Sequence, residues 1–186
     1  MKKIKTIFER NWEGDRKIID KPLFKENDFI EAIATEKLDG TNVKVTIRNH
    51  EAVRLEKRRN PNKIQKAKGI EEPWYEDANE FNPSDKWIFD ALKNTNLTKI
   101  SDGEFNGEAV GTKIQGNPLK LENNRIVFFT LGQVPIFDNV PITYQELKEW
   151  LPKQISKYGN NCKIEGIVWH KNNIPFGKIK LKDFKY

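Results

Sequence analysis

The chain has 186 residues, 32% of them charged and 11% aromatic, with a formal net charge of +6. That length gives one domain able to bury a real core, and the aromatic content excludes an intrinsically disordered chain. No apolar run approaches the roughly 20 residues of a membrane helix, and no apolar stretch or cleavage site follows the basic start Met1-Lys2-Lys3-Ile4-Lys5.

Cys162 is the single cysteine, which excludes an internal disulfide framework and a cysteine-rich zinc site. The reducing cytoplasm is therefore the expected location, with no membrane partner. The positive charge suits a polyanion but is weak support by itself.

In chain order, Phe29 to Thr35 alternates as a strand, and Asn42 to Arg48 alternates almost strictly. Lys37 stands between them, where a strand ends and the turn Leu38-Asp39-Gly40-Thr41 begins. A further strand is expected over Glu51 to Lys57, with His50 at an exposed hairpin tip. Arg59 to Ser84, holding Pro61, Gly69, Pro73 and Pro83, reads as a long polar surface loop with at most short helical turns. Ser84 is an N-cap candidate for a helix running to Leu92. Strands follow near Gly103 to Val110 and Arg125 to Leu131. Thr143 to Tyr158 has helical spacing, broken near Pro152. Strands Lys163 to His170 and Gly177 to Leu181 end the chain. The pattern predicts an α+β fold of antiparallel β-sheets flanked by helices, in one domain over residues 1–186.

Lys37, in Glu36-Lys37-Leu38-Asp39-Gly40, is a candidate nucleophile. An amine attacks only when neutral, and burial or nearby cations favour that form. Lys180 and Lys182, two apart on an expected strand, would share a face and supply such cations; an edge strand with a solvated lysine face gives the same pattern. Taken alone, Lys-x-Asp-Gly is equally a surface turn of a β-hairpin.

Its company changes the weighting. After Glu36-Lys37-Leu38-Asp39-Gly40-Thr41-Asn42 come Glu56-Lys57-Arg58-Arg59-Asn60-Pro61 and Phe105-Asn106-Gly107-Glu108-Ala109-Val110-Gly111. Ile126-Val127-Phe128-Phe129, Glu165-Gly166-Ile167-Val168 and Lys178-Ile179-Lys180-Leu181-Lys182 complete the series. From about Thr35 to the C-terminus this set resembles the covalent nucleotidyltransferase superfamily of ATP-dependent ligases and mRNA capping enzymes. Thr41-Asn42, Lys57-Arg58 before Asn60-Pro61, and Gly111-Thr112-Lys113-Ile114-Gln115 are most similar to the RNA ligases of the nick-sealing phage type.

The resemblance implies an adenylyltransferase fold, ATP-grasp-like, with ATP between two sheets. It implies Lys37 as the residue that takes AMP from ATP. It gives Glu36 the adenine edge, Glu108 the ribose hydroxyls and Phe129 the stacking face. Arg58 would grip a phosphate, Lys180 and Lys182 would neutralise the triphosphate, and Glu165 would lie near a divalent metal, Mg or Mn. Asp39 and Asn42 would contact the phosphates or the metal shell. By residue type alone, Phe128 competes with Phe129 and Arg58 with Arg59; alternation sends each pair to opposite faces. His170 departs from the pattern, since similar ligases carry lysine there; a charge near the phosphates is then missing or pH-dependent.

The implied reaction joins 3′-OH and 5′-phosphate ends of RNA, as in a nicked duplex, through a lysyl-AMP and an adenylylated 5′ end. A small DNA ligase, a capping guanylyltransferase and a non-catalytic nucleic-acid-binding module are the alternatives. A monomer is expected. The chain ends four residues after Lys182, so no accessory C-terminal domain is expected in it.

Overall fold

In the computed structural model, residues 2–129 and 132–186 are described. Short strands dominate: β1 (Lys5–Thr6), β2 (Phe8–Arg10), β3 (Ile18–Pro22), β4 (Ile33–Glu36), β5 (Thr41–Arg48) and β6 (Glu51–Arg59). Helix α1 (Lys63–Ala67), strand β7 (Trp74–Asp77) and helix α2 (Lys86–Lys93) follow. Next come β8 (Gly103–Val110), β9 (Arg125–Phe128), β10 (Ile136–Phe137), α3 (Tyr144–Trp150), β11 (Gly166–Lys171) and β12 (Ile174–Lys180). The expected α+β class is what these elements form. No helix among the described residues is long and apolar enough to cross a membrane.

The single domain expected from the sequence consists of two compact units. One is residues 39–129, joined by the start of the chain; the other is residues 4–38 together with the C-terminal segment.

In the first unit five strands pair antiparallel in the order β7-β6-β5-β8-β9. Strict alternation makes β5 the centre: Val43, Val45 and Ile47 are fully buried. They join Leu55, Ile126 and Phe128, and Ile88 and Ala91 of α2 cover them. Each such side chain contributes roughly 1.5–3 kcal/mol by leaving water. Asn49 and His50 close the β5–β6 hairpin, both with positive φ, the geometry of a two-residue turn matching strand twist.

In the second unit the order is β1-β12-β11-β4-β10, with β2 and β3 a separate pair. The sheet is not wholly antiparallel, because β1 runs parallel to β12. Ala34, Ile167, Trp169 and Ile179 pack on one face against Leu147 of α3 and against Leu151 and Phe184.

Several expectations change. The strand placed at Phe29 to Thr35 begins only at Ile33 and runs through Glu36, after a 3-10 turn over Glu26–Phe29. The turn at 38–40 is no hairpin, since β4 and β5 belong to different sheets. The stretch from 59 to 84 holds α1, one of the short helical turns expected there, but also β7, an edge strand whose polar residues hide it from a hydrophobic count. The expected strand near Arg125 to Leu131 ends at Phe128, and residues 130 and 131 lie outside the described residues. Helix α3 stops at Trp150 and gives way to a 3-10 turn containing Pro152, whose ring cannot continue the helix ladder.

Ser84 does not cap α2. Asp85 occupies the N-cap position, and its carboxylate holds the buried Lys57 ammonium at 2.6 and 2.7 Å. Asp85 is 2% and Lys57 7% exposed, and Lys57 has besides it only a longer ion pair to Glu76 at 3.5 Å, so removing Asp85 leaves a buried ammonium poorly compensated. Burial would raise the Asp85 carboxyl, but bonds from the Asn79 N–H, Lys57 and Ser84 outweigh it and hold the group below its ordinary 3.8. Asp85→Ala is expected to cost about 3–5 kcal/mol, or roughly 6–20 °C in Tm for a chain of this size. This stability is present above the ordinary aspartate value and is lost as pH falls through the lower native one. Urea unfolding of parent and variant should therefore show a gap at pH 7 that closes in strong acid.

Candidate active site

Lys37 directly follows β4, and its N–H donates to the Gly166 carbonyl of β11 at 2.9 Å. Gly166 in turn pairs with Lys180 of β12. Cross-strand partners project to the same side of a pleated sheet, so Lys37 and Lys180 flank the bare Gly166. A Cβ at Gly166 would stand 1.9 Å from the Ile179 carbonyl oxygen, so this close approach requires glycine.

Glu165 joins the two lysines. Its Oε2 accepts from Lys37 Nζ at 2.5 Å and its Oε1 from Lys180 Nζ at 2.6 Å. Burial would raise this carboxyl, but the Lys37 and Lys180 ammonium groups outweigh burial and hold it below the ordinary carboxylate value. Lys180, one of the two cations expected near Lys37, is joined to it through this carboxylate.

Lys180 and Lys182 do not share a strand face. Strand β12 ends at Lys180, and Leu181–Asp183 form a 3-10 turn that leaves Lys182 exposed. That turn is held from both sides. The Leu181 N–H donates to the Glu165 carbonyl at 2.8 Å. Asp183, buried, accepts from the Lys180 N–H at 3.0 Å and from Arg10 Nη2 at 2.5 Å. Lys17 Nζ reaches the Lys182 carbonyl at 2.7 Å. Arg10 and Lys17 escaped the sequence reading because the N-terminal strands carry no recognised motif; Asp183, three residues after Lys180, had the spacing of a turn cap.

Glu36 lies elsewhere. Alternation puts it opposite Lys37, on the core face with Ile167, its partner on β11. It is 2% exposed, and both oxygens are engaged. Ser156 Oγ donates to Oε1, while the N–H groups of Lys157 and Tyr158 donate to Oε2 at 2.9 and 3.3 Å. It pins the 156–159 loop rather than standing beside Lys37. Burial raises its carboxyl, against the lowering effect of those bonds.

His170 is on β11, buried, with Nε2 2.9 Å from the Thr35 hydroxyl. Burial lowers its pKa, which favours the neutral ring over a pH-dependent charge. Cys162 is buried, as expected of a small apolar residue.

The first unit carries the other set. The face of its sheet away from the core bears Asn42 and Lys44 of β5, Glu56 and Arg58 of β6, Tyr75 of β7, and Asn106 and Glu108 of β8. Asn42 Nδ2 donates to Glu108 Oε2 at 3.3 Å. Arg58 is on this face with its buried Nε lacking a hydrogen-bond partner, whereas Arg59 is exposed and paired with Glu76 at 2.6 Å. Phe128 is 1% exposed and belongs to the core. Phe129 is half-buried, its N–H on the Asn106 carbonyl at 3.0 Å, which puts it beside the polar row. Asp39 is half-buried ahead of β5, and at Gly40 a Cβ would stand 2.2 Å from the Ala109 carbonyl oxygen.

As the residues stand, they make no ready cage for a metal. Both Glu165 oxygens carry ammonium partners, and no cluster of three His, Cys, Asp or Glu suited to an ion occurs among the described residues.

A family model described as RNA ligase 1 matches residues 91–184, just over half of the chain. The chain belongs to this family. The matched span holds Glu108, Phe129, Glu165, Lys180 and Lys182; Lys37, Asp39, Asn42 and Arg58 precede it. No curated protein matches the chain. Among solved structures, an apo lysine-to-alanine mutant of a Naegleria gruberi RNA ligase is similar at 18% identity and a TM-score of 0.46, over 81% of this chain and 49% of that one. The chain thus spans about half the length of that ligase.

Glu36 gives a pH signature opposite to that of Asp85. Its native pKa is raised, so between the ordinary value and the raised one the native state binds more protons than the unfolded state. Its unfavourable contribution is present at neutral pH and fades as pH falls. Relative to Glu36→Gln, the parent protein should gain stability as pH drops from 7 toward 5, measured by urea unfolding at each pH.

Proposed function

We propose that the chain is an ATP-dependent polynucleotide ligase acting on RNA, in which Lys37 carries the adenylyl group. The observation that carries this reading is the shared carboxylate of Glu165, holding Lys37 and Lys180 on its two oxygens. An unreactive surface lysine would have no need of a half-buried, twice-bonded partner.

Lys37 attacks the α-phosphorus of ATP as the neutral amine, its proton released to solvent. The new N–P bond forms as the bond to pyrophosphate breaks, leaving AMP on the lysine. Lys180 keeps a positive charge beside Glu165 and meets the charge that builds on the phosphoryl oxygens. A 5′-phosphate oxygen then displaces the lysine, giving an adenylylated end, and a 3′-hydroxyl attacks that end and expels AMP.

Nucleotide recognition falls to the polar row of the first unit. Glu108, an acceptor only, suits ribose hydroxyls. Arg58 offers a fork to a phosphate, and Phe129 a ring face to the base. Lys182, exposed on its turn, suits a longer reach toward the triphosphate or the RNA backbone. Asp39 and Asn42 remain assigned to the phosphates and their surroundings. RNA ligases in general use a divalent ion with ATP; such an ion would neutralise phosphate charge, held chiefly by phosphate oxygens with few protein ligands. The nick-sealing phage branch, a nicked duplex as substrate and a monomeric state belong to the same proposal.

The steps can be separated. Lys37→Ala should abolish sealing of 5′-phosphorylated RNA by ATP, yet still seal RNA supplied with an adenylylated 5′ end, since that step needs no lysyl-AMP. Loss of both activities, or of neither, would contradict the assignment. The same assay on nicked RNA and nicked DNA, with ATP or GTP as donor, distinguishes an RNA ligase from a DNA ligase or a capping enzyme.

A further inference from the structure

Tyr75 belongs to no motif in the sequence, yet its hydroxyl sits within the polar row. It donates to Asn42 Oδ1 at 2.6 Å, and Asn42 Nδ2 donates to Glu108 Oε2 at 3.3 Å. The register makes this possible. Tyr75 pairs with Arg58 across β7 and β6, and Asn42 pairs with Glu108 across β5 and β8.

An amide has one acceptor end and one donor end. A hydroxyl donating to Oδ1 therefore dictates that the amino group points at Glu108. A carboxylate has no donor of its own, so the rotation of Glu108 is set by the donors around it. The hydroxyl is a dependable donor. Burial, opposed by Arg58 and reinforced by the Glu108 and Glu56 carboxylates, pushes its pKa up to about 12. The ring is held by its place in the strand and by Lys44, whose ammonium lies 5.4 Å from its centroid.

We infer that Tyr75 is a positioning residue for sugar recognition: through Asn42 it orients the Glu108 carboxylate toward the ribose, and so sets the preference for a ribonucleoside over a deoxyribonucleoside triphosphate as adenylyl donor. The inference rests on the reading of Glu108 as the ribose ligand. Without the Tyr75 hydroxyl, Asn42 loses the bond that fixes its amide, and the Asn42–Glu108 bond is no longer held in place. A sugar hydroxyl then meets a carboxylate held less firmly in the orientation that accepts it. A sugar lacking that hydroxyl loses nothing.

The test uses the full chain and compares rates of lysyl-AMP formation from subsaturating ATP and 2′-deoxy-ATP. Tyr75→Phe deletes one oxygen and keeps the ring. It should slow the reaction with ATP about fivefold, the loss expected when a charge-linked hydrogen bond is weakened rather than removed. The rate with 2′-deoxy-ATP should stay within about twofold, which also reports intact folding. Glu108→Ala serves as the reference and should erase the preference. If Glu108→Ala erases it while Tyr75→Phe keeps the parent preference, or slows both donors equally, the inference is wrong and the reading of Glu108 stands. If Glu108→Ala leaves the preference unchanged, the reading of Glu108 fails and the inference falls with it.

Discussion

The Glu165 carboxylate between Lys37 and Lys180 is the contact on which the proposed reaction depends. One half-buried anion satisfies two cations, and each cation comes from a different strand region. Either lysine alone would leave the carboxylate half-compensated, and removing the carboxylate would set two ammonium groups against each other. Such a triad holds only where geometry is fixed, since imperfect pairing of buried charge costs more than it returns. The surrounding structure supplies that fixity. Gly166 lets β11 and β12 close up between the lysines, and the Glu165 carbonyl and Asp183 hold the turn after Lys180. Arg10, from the N-terminal strands, then locks Asp183. Residues outside the recognisable motifs thus serve the one contact that the motifs need.

The pleat does much of the sorting. Along β4 and its continuation, Glu36 and Lys37 are adjacent in sequence and opposite in fate. Glu36 faces the core and ties down the 156–159 loop, while Lys37 faces away and meets Glu165 and Gly166. On β6, Arg58 joins the row with Asn42 and Glu108 while Arg59 pairs outward with Glu76. On β9 and just beyond, Phe128 fills the core and Phe129 remains half-buried near Asn106. A period-2 rule, applied residue by residue, separates the proposed site residue from its neighbour in each case.

The same rule marks how much was legible in the sequence. Strand β5, with its clean alternation, was readable with its faces, β6 and β8 were readable as strands, and alternation separated the rival members of the Phe128/Phe129 and Arg58/Arg59 pairs. Glu165 was singled out through the resemblance alone, and its partnership with Lys37 spans 128 positions; no local pattern encodes a contact that long. Lys182 was misplaced because a strand of alternating lysines and apolar residues gives no sign that it turns at Leu181; the sign lay in Asp183, which caps that turn. Tyr75 was hidden because an edge strand needs no apolar alternation, so Trp74–Asp77 reads as loop. Glu36 was given a ligand's role because its burial is a property of β4's pairing with β11, invisible before the sheet is assembled.

The central claim is that Lys37 becomes covalently bonded to AMP. Incubating the full chain with ATP and magnesium, then measuring the intact mass and mapping the adduct by peptide sequencing, tests it most directly. The account predicts a gain of one AMP moiety per chain, located on the peptide containing Lys37 and absent from Lys37→Ala. An adduct mapped to another residue, or one that persists in Lys37→Ala, would contradict it.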